Sequence, residues 1–416
     1  DTLASALMAN GEQILGRSFK YHRPRGIMSA GVEESGALVT VGQGAKQDAN
    51  VRATTQPLYE GLIARGQNAW PSVRLDFGAI NNLFGRFFAA GFYYKTFMGL
   101  PPFEWGRGTG MWMRYEKIIR KAAGMGTASR EPDPDHYEHA HGYCDLLIVG
   151  SGPACRTAAL CAANAGCDVI LVEQDAVLGG DTLSHPDSSS ALQEELSALR
   201  ACGVRLMTST TAFGLYDNGV AGLLERVTDH LTDPPSWLPR QRFWTVRARA
   251  TVIAAGALER HIAFGDNDRP GVMTANAGRT YLNRFAIQAG EKIVIATNND
   301  SAYATAADLA GAGASVTMLD SRHDIPLSLR SHCDTAGIVI RLDAAPMKAL
   351  GGKTVSGLTT AIRQGNSWRA DENTDCDLVL VSGGWSPVVN LLSHRGIKPV
   401  WHPELACFLA PASHEP

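Results

Sequence analysis

The run Gly150-Ser151-Gly152-Pro153-Ala154-Cys155 carries the clearest chemistry in the sequence. Gly150 permits a tight turn. Gly152 lets backbone approach a pyrophosphate at a helix N-terminus, where N–H groups and the dipole favour negative charge. The third glycine of the dinucleotide fingerprint is replaced by Cys155, so the helix is expected to stand slightly further from the strand. Glu173 follows Gly150 by 23 residues, at the end of the next apolar strand. A carboxylate there can bond both ribose hydroxyls and repels a 2′-phosphate, which favours NAD or FAD over NADP. Gly179-Gly180 can let backbone pass close to a ligand or form a plain turn. The competing reading is a degenerate fold with no nucleotide, and Cys155 supports it.

Two further runs are chemically suggestive. Ile293-Val294-Ile295-Ala296-Thr297-Asn298-Asn299-Asp300 repeats the strand-turn pattern without a glycine, and Asp300 would repel a pyrophosphate. That unit reads as nucleotide-like in fold but not in binding. Residues 16–26 place Arg17, Lys20, Arg23 and Arg25 beside Phe19 and Tyr21, which suits either a phosphate, acidic cofactor or partner, or a solvated basic loop. No G-x-S-x-G or H-E-x-x-H occurs, so no catalytic acid, base or nucleophile is assigned.

These turns need strands and helices to hold them. Residues 145–149 and 168–172 are continuous apolar runs, as expected of parallel strands covered on both faces, with a helix over 158–165 between them. Residues 292–297 and 315–319 flank a helix over 302–312 in the same way. Two βαβ units argue for two nucleotide-type domains, one nested in the other. Residues 247–256 form a strand ending in Ala-Ala-Gly, and 377–385 a second ending in Gly383-Gly384. Both resemble strands that return near the nucleotide in two-dinucleotide-domain flavoproteins. Before the first unit, residues 128–142 read as a polar, proline-containing linker, whose His136, His139 and His141 read as solvated rather than as a metal site. Residues 61–140 lack clear periodicity and carry many aromatics, among them Trp70, Phe92 and Trp112. They read as a segment wrapping over another domain, or as a loop-rich surface. Residues 38–41 lead a set of short strands at the N-terminus.

The 416 residues, 45% hydrophobic and 19% charged, exclude a disordered or collagen-like chain. A formal charge of −3 offers no basic surface for nucleic acid. No apolar run reaches the roughly 18 residues of a membrane span. The sequence opens with no signal-peptide pattern, and its eight cysteines form no C-x-x-C pair and read as reduced thiols, so a cytoplasmic location is expected. The sequence begins at Asp1 and stops at Pro416 shortly after a strand-like stretch, which reads as a fragment at both ends.

Several longer runs carry a family resemblance: residues 1–7, 16–27, Arg52-Ala53-Thr54-Thr55, 90–98, 267–273, 279–284, 297–303 and 382–389. Together they resemble the alpha subunits of heterotetrameric sarcosine oxidases, along nearly the whole chain. The resemblance implies a two-dinucleotide-binding-domain, Rossmann-like flavoprotein architecture of α/β class, preceded by a ferredoxin-like β-grasp domain. Family relatives that keep an iron-sulfur cluster space their cysteines C-x4-C-x2-C. The corresponding positions here are Ser29, Glu34 and Ala37, which supply no thiolate, so a [2Fe-2S] cluster is not expected. This separates the chain from alpha subunits of the octopine oxidase and hydrogen cyanide synthase type.

The resemblance further implies domains at 1–60 (ferredoxin-like, cluster lost), 61–142 (wrapping segment and linker), 143–265 (NAD-binding, first part), 266–376 (nested nucleotide-like) and 377–416 (return strand to the first Rossmann-like domain). It places NAD on Gly150, Gly152, Ala154, Glu173, Gln174, Gly180 and Ala212. It implies FAD and FMN held mainly by a beta subunit, with gamma and delta subunits also present. Tetrahydrofolate would bind a C-terminal domain absent from this sequence. The implied reaction is oxidative demethylation of sarcosine to glycine with oxygen, giving hydrogen peroxide and formaldehyde or 5,10-methylenetetrahydrofolate. Alternatives are a related opine or hydroxyproline oxidase or dehydrogenase subunit, and a scaffold that binds no nucleotide.

Overall fold

The computed structural model describes residues 1–83, 85, 116–117, 126–186 and 188–411. Nearly half of the expected wrapping segment lies outside those residues. The chain opens with α1 (Leu3–Ala9), started by a capping box in which Thr2 and Ser5 exchange side-chain and backbone bonds. A three-stranded antiparallel sheet follows, with β1 (Leu38–Val41) between β2 (Asp48–Arg52) and β3 (Ala64–Gly66). Residues Ala64–Gly66, beyond residue 60, thus pair within this N-terminal sheet. The N-terminal domain's buried Leu3, Ala4, Ile27, Ala37 and Val39 share one core with Met273, Tyr281 and Ile295 of the second nucleotide-like unit.

The first such unit is a six-stranded sheet. β4 (Tyr137–Val149) continues through α2 (Pro153–Asn164) to β5 (Val169–Val172), then through α3 (Ser189–Ala201) to β6 (Arg205–Met207). β7 (Thr210–Leu215), β8 (Val220–Arg226) and β9 (Gln241–Ile253) complete it in the order β6-β5-β4-β9-β8-β7. β6, β5, β4 and β9 are parallel; β8 and β7 are antiparallel additions. Alternate residues of β4 and β5 enter different cores. Leu147, Ile170 and Val172 face one side, while Ile148, Val169 and Leu171 face α2 and α3. Burial of both faces explains the unbroken apolar runs.

The linker expected over 128–142 becomes strand at Tyr137. Residues 137–142 pair with 241–246 of β9. Tyr137, His139, His141 and Tyr143 alternate outward. A half-exposed strand with polar residues on its open face reads as linker in sequence, because only every second side chain is withdrawn from water.

A two-stranded ladder of β10 (Ala257–Glu259) with β19 (Trp385–Pro387) joins the units. The second unit contains β11 (Val272–Thr274), α4 (Ala275–Phe285), β12 (Lys292–Thr297), α5 (Ser301–Gly311), β13 (Ser315–Asp320), α6 (Leu327–Thr335) and β14 (Val339–Arg341). An antiparallel sheet of β15 (Ala344–Leu350), β16 (Gly357–Gln364) and β17 (Ser367–Asp375) precedes β18 (Leu378–Ser382). The parallel sheet has the order β11-β18-β12-β13-β14. This corrects one sequence expectation. The strand starting at Leu378 does not return to the first sheet; it pairs with β12 from Ile293↔Leu378 to Thr297↔Ser382. Its five fully buried residues suit the centre of either parallel sheet, so the apolar pattern could not choose between them. Among the described residues no helix is long and apolar enough to cross a membrane.

Candidate dinucleotide site

Three parallel strands end side by side at Val149, Val172 and Ile253. β4 lies between β5 and β9, the point where the chain's connections run to opposite sides and where open α/β sheets leave a crevice. The Gly150 N–H donates to Val172 O (2.9 Å), and the Ala254 N–H to Val149 O (3.1 Å), which fixes the turn at the strand ends.

The two glycines of the turn have different physical reasons. Gly150 has φ +109°, and a Cβ there would stand 2.7 Å from Ala254 O. The fold itself therefore demands glycine. Gly152 has φ −65°, open to any residue, and an added Cβ would meet nothing within 4 Å. Nothing in the protein requires glycine at 152; what its missing side chain leaves is room in front of α2. That helix begins with Pro153 at its first position and has no side-chain cap. Its leading N–H groups, Ala154 among them, are thus left for a ligand or water. Ala154 is exposed.

Gly180 is brought directly onto this turn. It has φ +58°, and a Cβ would lie 3.0 Å from the Gly152 Cα. Arg156, 3% exposed, locks the arrangement. Its guanidinium donates to Ser151 O (2.9 Å), Gly179 O (3.0 Å) and Thr182 Oγ1 (3.3 Å), and pairs with Glu195. Ser151 Oγ donates to Glu173 Oε2 (2.6 Å) and accepts from Gly179 N–H (2.9 Å). The other Glu173 oxygen accepts from Asp175 N–H (2.9 Å). Glu173 is thus oriented by two donors at the end of β5. Sequence reasoning missed Ser151 and Arg156. The available signal was one arginine in the first turn of a helix otherwise built from small and apolar residues.

Gln174 is exposed beside Glu173, and its carbonyl accepts from Arg226 (3.0 Å). Ala212 is half-buried in β7 and paired with Leu223. Its strand is tied to the site at Thr210, whose N–H donates to Glu173 O (2.8 Å). Gly150, Gly152, Ala154, Glu173 and Gly180 converge, with Gln174 at the rim. Ala212 lies two residues beyond the Thr210–Glu173 bond.

Cys155 fills the third-glycine position without entering the crevice. It is fully buried, and its thiol donates to Ala254 O (3.3 Å) beneath the turn. Burial pushes its pKa up to about 11, so it is a neutral packing group at neutral pH, not a nucleophile. The residues present leave room for a dinucleotide pyrophosphate: open space at Gly152, uncapped N–H groups and a carboxylate, Glu173, oriented at the end of β5.

The basic run at 16–26 serves neither a phosphate nor solvent alone. Arg23 donates to Asp268 (2.8 and 2.7 Å) and Asp266 (2.7 Å), and Arg25 pairs with Asp268. Arg17 donates to Val73 O (2.8 Å). These arginines brace the N-terminal domain internally and against residues leading into β11.

The sequence model of the 2Fe-2S iron-sulfur cluster binding domain family matches residues 1–69, and that of the FAD dependent oxidoreductase family matches residues 145–233. The chain is 45% identical over 424 aligned residues to the sarcosine oxidase subunit alpha of Rhizobium meliloti, covering 99% of this chain and 41% of that protein. It is 32% identical to the subunit alpha of a Corynebacterium species, covering 99% of this chain and 38% of that protein. Along nearly its whole length the chain is similar to sarcosine oxidase alpha subunits. It spans about two fifths of the length of the curated relatives it matches. The fold is also that of an L-proline dehydrogenase from P. horikoshii, at a TM-score of 0.59 and 16% identity, covering 99% of this chain and 62% of that one. The architecture is a two-dinucleotide-domain flavoprotein fold behind a ferredoxin-like domain lacking cluster cysteines.

Proposed function

We propose that the first Rossmann-like unit is the NAD-binding region of a sarcosine oxidase alpha subunit. The observation carrying the site is the open space at Gly152, next to the Ser151 hydroxyl that holds the Glu173 carboxylate. The alpha-subunit relatives carry the enzymatic context. In this reading Gly150 and Gly152 shape the pyrophosphate turn, Ala154 N–H faces phosphate, Glu173 takes the ribose hydroxyls with Gln174 beside it, and Gly180 covers the turn. Ala212 borders the adenosine end. When bound, a nicotinamide supplies two-electron hydride chemistry. The chain's own part is to bind and orient it.

The surrounding complex would oxidise sarcosine at flavins held mainly by a beta subunit, with gamma and delta subunits completing the assembly. Oxygen is reduced to hydrogen peroxide, and the one-carbon unit leaves as formaldehyde or passes to tetrahydrofolate. The purified complex is then expected to show sarcosine-dependent oxygen uptake. Absence of uptake with sarcosine, and its presence with an opine or hydroxyproline, would move the chain to the related amine and imino-acid enzymes. A second reading, FAD in the same crevice, is favoured by the FAD dependent oxidoreductase match over residues 145–233. Separate titrations of NAD and FAD distinguish the two, and binding of neither supports a scaffold.

A further inference from the structure

The N-terminal domain matches a cluster-binding family, yet its residues do not fit a cluster. Ser29, Glu34 and Ala37 offer a hydroxyl, a carboxylate and a methyl where thiolates are needed. All three are buried, Ser29 and Ala37 completely and Glu34 at 2% exposure. The Glu34 carboxylate is turned inward and collects four backbone donors. Oε2 accepts from Met28 N–H (2.8 Å) and Ser29 N–H (2.9 Å). Oε1 accepts from Ala37 N–H (2.9 Å) and from Gly36 N–H. Convergent N–H groups on a loop form an anion-binding concavity. The Ser29 hydroxyl, within the same loop, is buried without a hydrogen-bond partner.

The outer side of this loop is a dock. Met28 O accepts from Thr274 N–H (2.9 Å), at the start of α4, and Ser29 O accepts from the buried Tyr281 hydroxyl (3.2 Å) on the same helix. We propose that residues 28–37 form an anion-binding loop whose occupant is the chain's own Glu34 carboxylate in place of a metal cluster. This internal anion holds the loop in the shape that locks the ferredoxin-like domain onto the second nucleotide-like unit. The domain works as a brace. Without the carboxylate, four inward N–H groups lose their acceptor at once, and the loop opens away from α4.

The test is chemical rescue in the full chain. Glu34→Ala removes the Cγ carbon and the carboxylate, which are the atoms acetate supplies. The thermal midpoint of E34A is expected to fall by about 5–10 °C. Acetate in the tens-of-millimolar range should restore at least half of that loss, saturably. Hydrogen exchange should rise at 28–37 and 272–276 in E34A and fall again with acetate. Glu34→Gln keeps the volume but turns an amide NH2 toward the donors. It should also lower the midpoint, and acetate should not rescue it because the space is filled. Wild type should ignore acetate. If E34A does not accumulate folded, refolding with and without acetate gives the same reading. An E34A midpoint matching wild type, or an acetate response equal in wild type and E34A, overturns the proposal, as does refolding indifferent to acetate.

Discussion

The two βαβ units have the same topology at their switch points and opposite contents. In the first, β4 lies between β5 and β9, and the turn ends in open space at Gly152. In the second, β12 lies between β13 and β18, and the turn is filled by the chain itself. Asn299 donates to Ser382 O and Oγ (3.1 Å each) and accepts from Ser301 N–H (3.1 Å). Trp385 Nε1–H donates to Ser301 Oγ (2.9 Å) over the start of α5. At the end of β13, where a ribose carboxylate would act, Asp320 is fully buried and bonded by Tyr303 (2.8 Å) and Arg322 (2.8 Å). Arg322 also reaches back to Asp300 in the turn (2.6 Å). A shared fold thus leaves one crevice open and closes the other with internal bonds. Function follows the residues in the turn and not the fold.

The largest effect that can break this comparison is on folding. Gly150→Ala must adopt a φ near +109° and meet Ala254 O, so a loss of about 3 kcal/mol is expected, read as a lowered thermal midpoint. Gly152→Val should leave stability within about 1 kcal/mol while weakening dinucleotide binding roughly a hundredfold, because its side chain enters space the protein does not use. If both substitutions unfold the chain equally, the distinction between a structural and a ligand-facing glycine fails.

The ladder between the two units supplies a pH-dependent effect. Burial raises Glu259 to about 7, against hydrogen bonds from Ser382 and from the Asn276 N–H (2.7 Å) at the start of α4. Between roughly pH 4.5 and 7 the folded state holds a proton that the unfolded state has released, so this group's contribution to stability falls as pH rises through that window. Glu259→Gln should therefore match wild type near pH 5 and exceed it by on the order of 2 kcal/mol near pH 8. Parallel thermal unfolding at the two pH values checks the sign, and a gain confined to acid pH would contradict it.

Smaller effects sharpen the site. Glu173→Gln should weaken NAD binding about tenfold and reduce discrimination against a 2′-phosphorylated dinucleotide. Asp300→Ala removes an acid from the second turn yet leaves Asn299, Ser301 and Trp385 in place. Titration should still give one dinucleotide per chain, and a second equivalent would show that charge alone kept that turn empty.

Much of this was legible in sequence, for definite reasons. Glycines at 150 and 152, and an acid ending the next strand, are local signals. Likewise the glycine-free second turn, with Asp300, read as unsuited to phosphate. The Ser151 partner of Glu173 was not legible, since that hydroxyl, itself held by the Gly179 N–H, meets it only after the chain folds back. Arg23 and Arg25 left a phosphate, acidic cofactor or partner site and a solvated loop both open, because their acids lie at 266 and 268, far along the chain. The strand beginning at Leu378 was read correctly as a buried strand and assigned to the wrong sheet, because burial pattern carries no information about which neighbour completes it. Glu34 was recognised as a missing ligand, while its role as an acceptor for four backbone groups needed the loop's shape.

Calorimetric titration of NAD, and separately FAD, into the full chain and its Gly152→Val variant tests the central claim most directly. The account predicts saturable one-to-one binding of NAD to the parent chain, lost in the variant while its thermal midpoint is kept. Binding that survives Gly152→Val unchanged, or no dinucleotide bound by the parent chain, would contradict it.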